Sequence, residues 1–191
     1  MPIVHRSVVG TNIKAMRIYS HALLTWAVAR RLDPSFEPVA AVWGAAGATL
    51  PDLPAIAGIL WLGEKRRSWF GRREFCEEAC EKGPFGEPDA ALHSALPVTA
   101  LLTLYAASGV RWRDTRGALL AFLLGWAGHV LADALTHAED ARPLLWPISR
   151  RRFRGPVSYW DRAHHSRPFA LVEHAALLMV AAWLLSRNSP R

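Results

Sequence analysis

Long apolar runs alternate along this chain with short charged stretches, and the apolar runs carry little polar striping. Uncharged segments cover Val39–Pro51, Leu53–Gly63, His93–Val110 and Gly117–Ala132. Joined across Asp52, the first two form a 24-residue segment, Val39–Leu62; Pro168–Ser186 adds 19 residues whose only formal charge is Glu173. A helix crossing hydrocarbon takes roughly 17–25 largely apolar residues. Val39–Leu62 and Pro168–Ser186 reach that length, and His93–Val110 is minimal. Gly117–Ala132 reaches it only by continuing through Asp133 to His137. Ser20–Ala29 is a shorter helix that approaches the length with Met16–Tyr19 in front. A soluble helix keeps a polar face, and Leu119–Leu124 and Leu177–Leu185 have none. The pattern predicts an all-α, polytopic membrane helical bundle of about five short helices. It forms one domain over residues 1–191, with polar excursions at about 63–91 and 138–169.

Prolines and turn residues set the breaks. Pro51 and Pro54 bracket Asp52-Leu53, and proline inside a helix removes a donor and kinks the rod. Such a break is tolerated at membrane depth only against protein or a wet cavity, so Asp52 is expected to face the interior. In the first excursion, Phe75, Cys76, Ala79 and Cys80 have helical spacing, which predicts a short amphipathic helix ended by Gly83-Pro84. Asp89 is placed to cap the next helix. Arg111–Arg116 reads as a hairpin before the helix that begins at Gly117.

The charge is +7. The clusters Lys65-Arg66-Arg67, Arg72-Arg73 and Arg150-Arg151-Arg152 with Arg154 sit between apolar runs. They fit surface anchors that meet anionic lipid headgroups better than a nucleic-acid site, for which no recognition element is present. Trp61, Trp69, Trp112, Trp146, Trp160 and Trp183 lie near the ends of apolar runs, where indole suits a membrane interface. The first residues have no apolar core of the signal-peptide kind, so the first hydrophobic segment is expected to direct insertion. Two cysteines, Cys76 and Cys80, supply too few thiols for a zinc site and read as structural.

Histidine and aspartate in apolar helices cost several kcal/mol unless partnered. In GHVLADALTHAED, His129, Asp133 and His137 recur every four residues and share one helix face. His129 and His137 lie about 12 Å apart along the axis, too far for one ion to take both easily with Asp133 between. A central carboxylate could instead bridge two ions about 3.5–4 Å apart. Asp52, His93 and His21 are the candidates to complete the shells. If successive helices run antiparallel, all three fall at the same end of the bundle as His129–His137. Two imidazoles and a carboxylate suit zinc or another divalent first-row metal. Simpler roles stay open: a hydrogen-bond ladder for His129, Asp133 and His137, and a helix cap for Asp52 or for His93-Ser94. His164 or His165, in WDRAHHSR after Asp161, fits a catalytic acid or base. Glu173 fits a supporting position behind the ligands or a salt bridge.

With these positions in hand, the chain resembles the YdjM-type family of inner-membrane metal-dependent hydrolases, itself distantly similar to the all-helical zinc-dependent phospholipases C. The matching features are His21 in SHALLTWAVA, Pro51-Asp52 after an Ala/Gly-rich run, His93-Ser94, GHVLADALTH and the following PLLWPIS. They span most of Tyr19–Ser149. Where the family shows HRxxTHS, this chain has EPDAALHS, which keeps His93-Ser94 and lacks the preceding His-Arg. The resemblance implies a metal-dependent hydrolase acting on a phospholipid or another phosphoester or ester.

The expected mechanism uses one or two divalent ions to activate water. His21, Asp52, His93, His129, Asp133 and His137 are the metal ligands, and His164 or His165 is the proton donor. In the antiparallel arrangement 16 of the 23 Lys and Arg residues lie on the side of the site. The positive-inside tendency then puts the site on the cytoplasmic side of a multi-pass protein in the cell inner membrane. The chief alternative is a non-enzymatic membrane interaction protein with a structural metal or polar cluster. Ion or proton transport is a third.

Overall fold

The computed structural model describes residues 18–32, 38–67, 70–138, 140–158 and 162–187. The expectations placed on Trp69, Trp160 and Asp161 fall outside these residues.

The all-α bundle that the apolar pattern predicts is present, its described helices grouping into five rods. The first is α1, Ile18–Leu32. The second is α2, Pro38–Thr49, continued through a 3-10 turn at Leu50–Asp52 into α3, Leu53–Arg66. A short helix α4, Arg72–Phe75, runs into a π-helical turn at Cys76–Glu81. The third rod is α5, Gly86–Leu92, followed after a bend of 46° by α6, Ala95–Ala107. A one-turn helix α7, Val110–Arg113, leads to the fourth rod, α8, Ala118–Thr136. After a long connection and a 3-10 turn at Arg162–His164, α9, Ser166–Arg187, is the fifth. Among the described residues the only β pairing is an isolated bridge between Pro143 and Arg152.

Pro38–Arg66 and Ala118–Thr136 are long and apolar enough to cross a membrane, and the bent α5–α6 pair makes a third such element if it acts as one span. Apolar side chains point outward along these rods, among them Val42, Leu60, Leu104, Leu124 and Leu131, each more than half exposed. A soluble fold would bury them; hydrocarbon accepts them.

The bundle closes on small residues. α2 lies along α8 with Gly44, Gly47 and Gly125 in the seam. A Cβ at Gly47 would overlap the Phe122 carbonyl, and one at Gly125 would meet the Gly44 carbonyl and, at 3.0 Å, the Ala48 nitrogen. Between apolar helices in lipid, close backbone approach of this kind replaces the hydrophobic effect as the source of association. On the far side of α8, Leu123, Trp126 and Val130 pack with Val98 of α6. The Trp126 indole donates to the Leu92 carbonyl at 2.6 Å, at the bend between α5 and α6.

The second rod divides its work at the proline break. Its α2 half packs on α1 and α8, whereas α3 packs on the polar excursion. Gly58 of α3 sits against Phe75, Ala79 and Phe85. The amphipathic helix expected in that excursion exists, though as one α-helical turn and a π-helical turn. Burial pushes the Cys80 thiol, in the π turn, up to about 11. Alkylation depends on thiolate, so Cys80 is expected to react with iodoacetamide at pH 8 roughly a hundredfold more slowly than an ordinary cysteine. Timed labelling read by peptide mass spectrometry checks this.

One expected cap is corrected, and the alternative of a helix cap at Asp52 falls away. Asp89 lies inside α5, and Ser94 caps α6 by accepting from the Leu96 N–H at 3.2 Å. Asp52 makes no capping hydrogen bond to α3. Its carboxylate turns toward the histidines.

Candidate metal centre

Three breaks in helical regularity bring the polar side chains together. Across Leu50–Asp52 the chain tightens to the 3-10 pattern, and Pro51 brings no N–H. That turn directs Asp52 inward, and the nearby Ala48 carbonyl lies 2.7 Å from His129 Nδ1. At the bend between α5 and α6, His93 ends one helix and Ser94 starts the next. At the end of α8, His137 leaves the helix in an extended conformation while its N–H still donates to the Asp133 carbonyl at 3.0 Å. His21 enters from the first turn of α1.

Asp133 is the centre. Its Oδ2 lies 3.3 Å from His93 Nε2 and 3.4 Å from His129 Nε2. Its Oδ1 lies 3.4 Å from both His21 Nε2 and His137 Nε2. Asp52 Oδ1 sits 3.9 Å from the Nε2 atoms of His93 and His129, and those two Nε2 atoms are 3.3 Å apart. All six expected ligands therefore converge. Asp52 is 0% exposed, His129 1%, His93 2%, His137 3%, Asp133 5% and His21 8%. His164 and His165 are not among the four imidazoles around Asp133. His164 is half-buried and offers its carbonyl to the Ser158 N–H at 2.9 Å, while His165 is exposed with φ 60°.

The rings of His93 and His137, like that of His129, are also held from behind. His93 Nδ1 lies 2.8 Å from the Asp89 carbonyl and 3.5 Å from Asp89 Oδ1. His137 Nδ1 lies 2.8 Å from Asp140 Oδ2. An acceptor at Nδ1 places the proton there and leaves the Nε2 lone pair facing inward, as in histidines that bind metal. Asp89 is fixed in turn by Arg142, whose Nε donates to Oδ2 at 2.8 Å and whose Nη2 donates to Oδ1 at 3.3 Å. Burial opposes the Arg142 charge, but the Asp89 carboxylate outweighs it and raises the pKa further.

Asp89, Asp140 and Arg142 were missed as supporting residues. Asp89 stands four residues before His93 and Asp140 three after His137, spacings that put side chains side by side on a helix or its end. Arg142 left no such signal, because its partner lies 53 positions away. Changing Asp89 to Ala is expected to cost about 1–3 kcal/mol of stability, because the part-buried Arg142 loses the carboxylate that takes two of its hydrogen bonds. The midpoint of thermal unfolding in detergent, compared with Arg142→Met/Asp89→Leu, checks this; the double variant should recover most of the loss.

A cation fits this arrangement on chemical grounds. Both oxygens of Asp52 and both of Asp133 are buried without a hydrogen-bond partner, which is costly for a carboxylate. His21, His129 and Asp133, and separately Asp52, His93 and His129, can each offer ligand atoms lying within 4.8 Å of one another.

Comparison with known proteins agrees with the architecture. A family model described as YdjM inner membrane protein matches residues 16–189. The inner membrane proteins YdjM of Escherichia coli (strain K12) and Shigella flexneri are each 38% identical over 93 residues, 48% of this chain and 44% of theirs. The aligned stretch thus covers less than half the length of these curated relatives. No solved structure gives a significant match.

Proposed function

Since the chain belongs to the YdjM inner membrane protein family, we propose that it is a multi-pass inner-membrane hydrolase whose buried His/Asp cluster holds one or two divalent metal ions. The observation that carries this reading is the convergence of four Nε2 atoms on the two oxygens of Asp133, beside the unpartnered Asp52. Nitrogen and carboxylate donors together suit zinc or a neighbouring first-row metal.

The donor set divides at Asp133. Asp52 and His93 gather on its Oδ2 side and His21 and His137 on its Oδ1 side, while His129, 3.4 Å from Oδ2, groups with both. Asp133 and the imidazoles around it would hold a two-ion centre if two ions were bound. Bound there, a divalent cation supplies Lewis acidity and makes water a nucleophile near neutral pH. The protein's own part is orientation. Ala48, Asp89 and Asp140 keep the rings turned inward, and the Arg142–Asp89 pair holds the α5–α6 bend that carries His93. Exposure rises from Asp52 toward His21, so substrate is expected at the His21 side of Asp133. Phosphoesters, phospholipids first, are the substrate class that an intramembrane centre of this kind would meet, with the site on the cytoplasmic side.

One observation favours a second reading. A structural metal site is closed, whereas a catalytic one keeps an open position, and Asp52 and His129 are almost wholly enclosed. Purified full-length protein, loaded with zinc or manganese, should hydrolyse phospholipid or a generic phosphoester and lose that activity on chelation. Metal retained with no turnover across such a panel would leave the structural reading standing and remove the hydrolase.

A further inference from the structure

Beyond the cluster, the segment from Pro143 to Gly155 joins two features that the metal chemistry does not use. It exposes apolar side chains, Leu145 at 48%, Ile148 at 83% and Phe153 at 54%. Between and beside them stand the exposed arginines Arg150, Arg151, Arg152 and Arg154, with no acidic residue from Pro143 to Ser158. Arg150 reaches an exposed Glu87, at 3.8 Å.

The segment is pinned rather than loose. Leu144 packs against the core, and its carbonyl accepts from the Ala95 N–H at 2.8 Å. Ser94 Oγ lies 3.1 Å from the Leu144 carbonyl and 2.8 Å from that of Trp146. Pro143 bridges Arg152. At the far end the Gly155 N–H donates to the His137 carbonyl at 2.8 Å. Glycine is required there, because a Cβ would stand 2.5 Å from the Leu135 carbonyl oxygen.

Its height in the membrane follows from α8. That apolar helix ends at Thr136, and the segment folds back on His137 and on Ser94 at the start of α6. It therefore lies where hydrocarbon gives way to headgroups. Apolar side chains among arginines at that level match a surface that is apolar below and anionic above.

We propose that Pro143–Gly155 is a docking surface for anionic phospholipid headgroups, with Ile148, Leu145 and Phe153 inserted at the acyl boundary and the four arginines holding the phosphates. The ends of the surface are tied to the backbone beside His93 and at His137, so it fixes the depth of the cluster relative to the leaflet. This inference rests on membrane residence and not on metal or hydrolysis.

The test uses the full chain carrying an environment-sensitive fluorophore at Ile148→Cys in a Cys76→Ser/Cys80→Ser background. It is placed in nanodiscs of phosphatidylcholine alone or with about one-third phosphatidylglycerol. Quenching by a lipid bearing a nitroxide near the top of its acyl chain is expected to be roughly twofold greater in the anionic discs. The variant R150Q/R151Q/R152Q/R154Q should abolish that difference. High salt applied to the unsubstituted arginines should do the same, and it replaces the variant if the variant fails to fold. Equal quenching in both discs, a label that stays in water, or a difference that survives both loss of the arginines and high salt overturns the proposal. A label that leaves water only on adding a soluble protein or nucleic acid overturns it too.

Discussion

Protein purified without chelator is expected to carry first-row metal, and Asp133→Ala is expected to abolish it. Among the described residues only Asp133 has its two oxygens facing all four imidazoles, so its removal takes the shared donor from both sides of the cluster. The remaining histidines would have to gather a cation around Asp52 alone. Losing one ligand of a compact site commonly lowers affinity by orders of magnitude, while changing a supporting residue costs about 10–100-fold. His129→Ala should match Asp133→Ala closely, since His129 belongs to both potential ligand groups. Asp140→Asn should show the smaller effect, because it leaves every inward-facing atom in place and weakens only the support behind His137. Elemental analysis against protein concentration, with competition by a chromophoric chelator, ranks the three. Wild-type protein free of metal, or metal unchanged by Asp133→Ala, would remove the centre and any reaction assigned to it.

Replacing Gly47 by Leu should be the most damaging change outside the cluster. Even a single Cβ there overlaps the Phe122 backbone, and backbone cannot rotate away as a side chain does. α2 and α8 would have to separate, which also draws both Ala48 and Asp52 from His129. Overpacking in a close-packed interior typically costs about 1–3 kcal/mol, and a backbone overlap in the central seam belongs at or beyond that upper end. The expected result is a large fall in the detergent unfolding midpoint together with loss of metal. Gly128→Ala is the control, because a Cβ at Gly128 meets nothing within 4 Å; alanine's better helix propensity should leave stability equal or slightly higher. Equal behaviour of the two variants would mean that the glycine seam does not hold the helices together.

Much of this molecule is legible in one dimension, because two of its requirements act along the chain. A hydrocarbon solvent demands unbroken apolar lengths, and these marked the five rods from α1 to α9. A helix also repeats at near four residues, so His129, Asp133 and His137 declared a common face before any fold was known. The cost of burying such groups in apolar helices likewise singled out Asp52, His93 and His21.

Other features arise only when distant segments meet. That Asp52 serves the cluster rather than capping α3 depended on where α2 settles against α8, and that contact is set by glycines whose role shows only once the helices touch. The division of the second rod, with α2 in the bundle and α3 against the excursion, has no one-dimensional mark beyond the prolines at its break. Arg142 could not be found by periodicity, since its carboxylate partner is brought to it by the bend between α5 and α6. Solvent preference and helical period are local properties and can be read from residue order. Close approach and charge pairing depend on distances across the bundle, which exist only after the chain has packed.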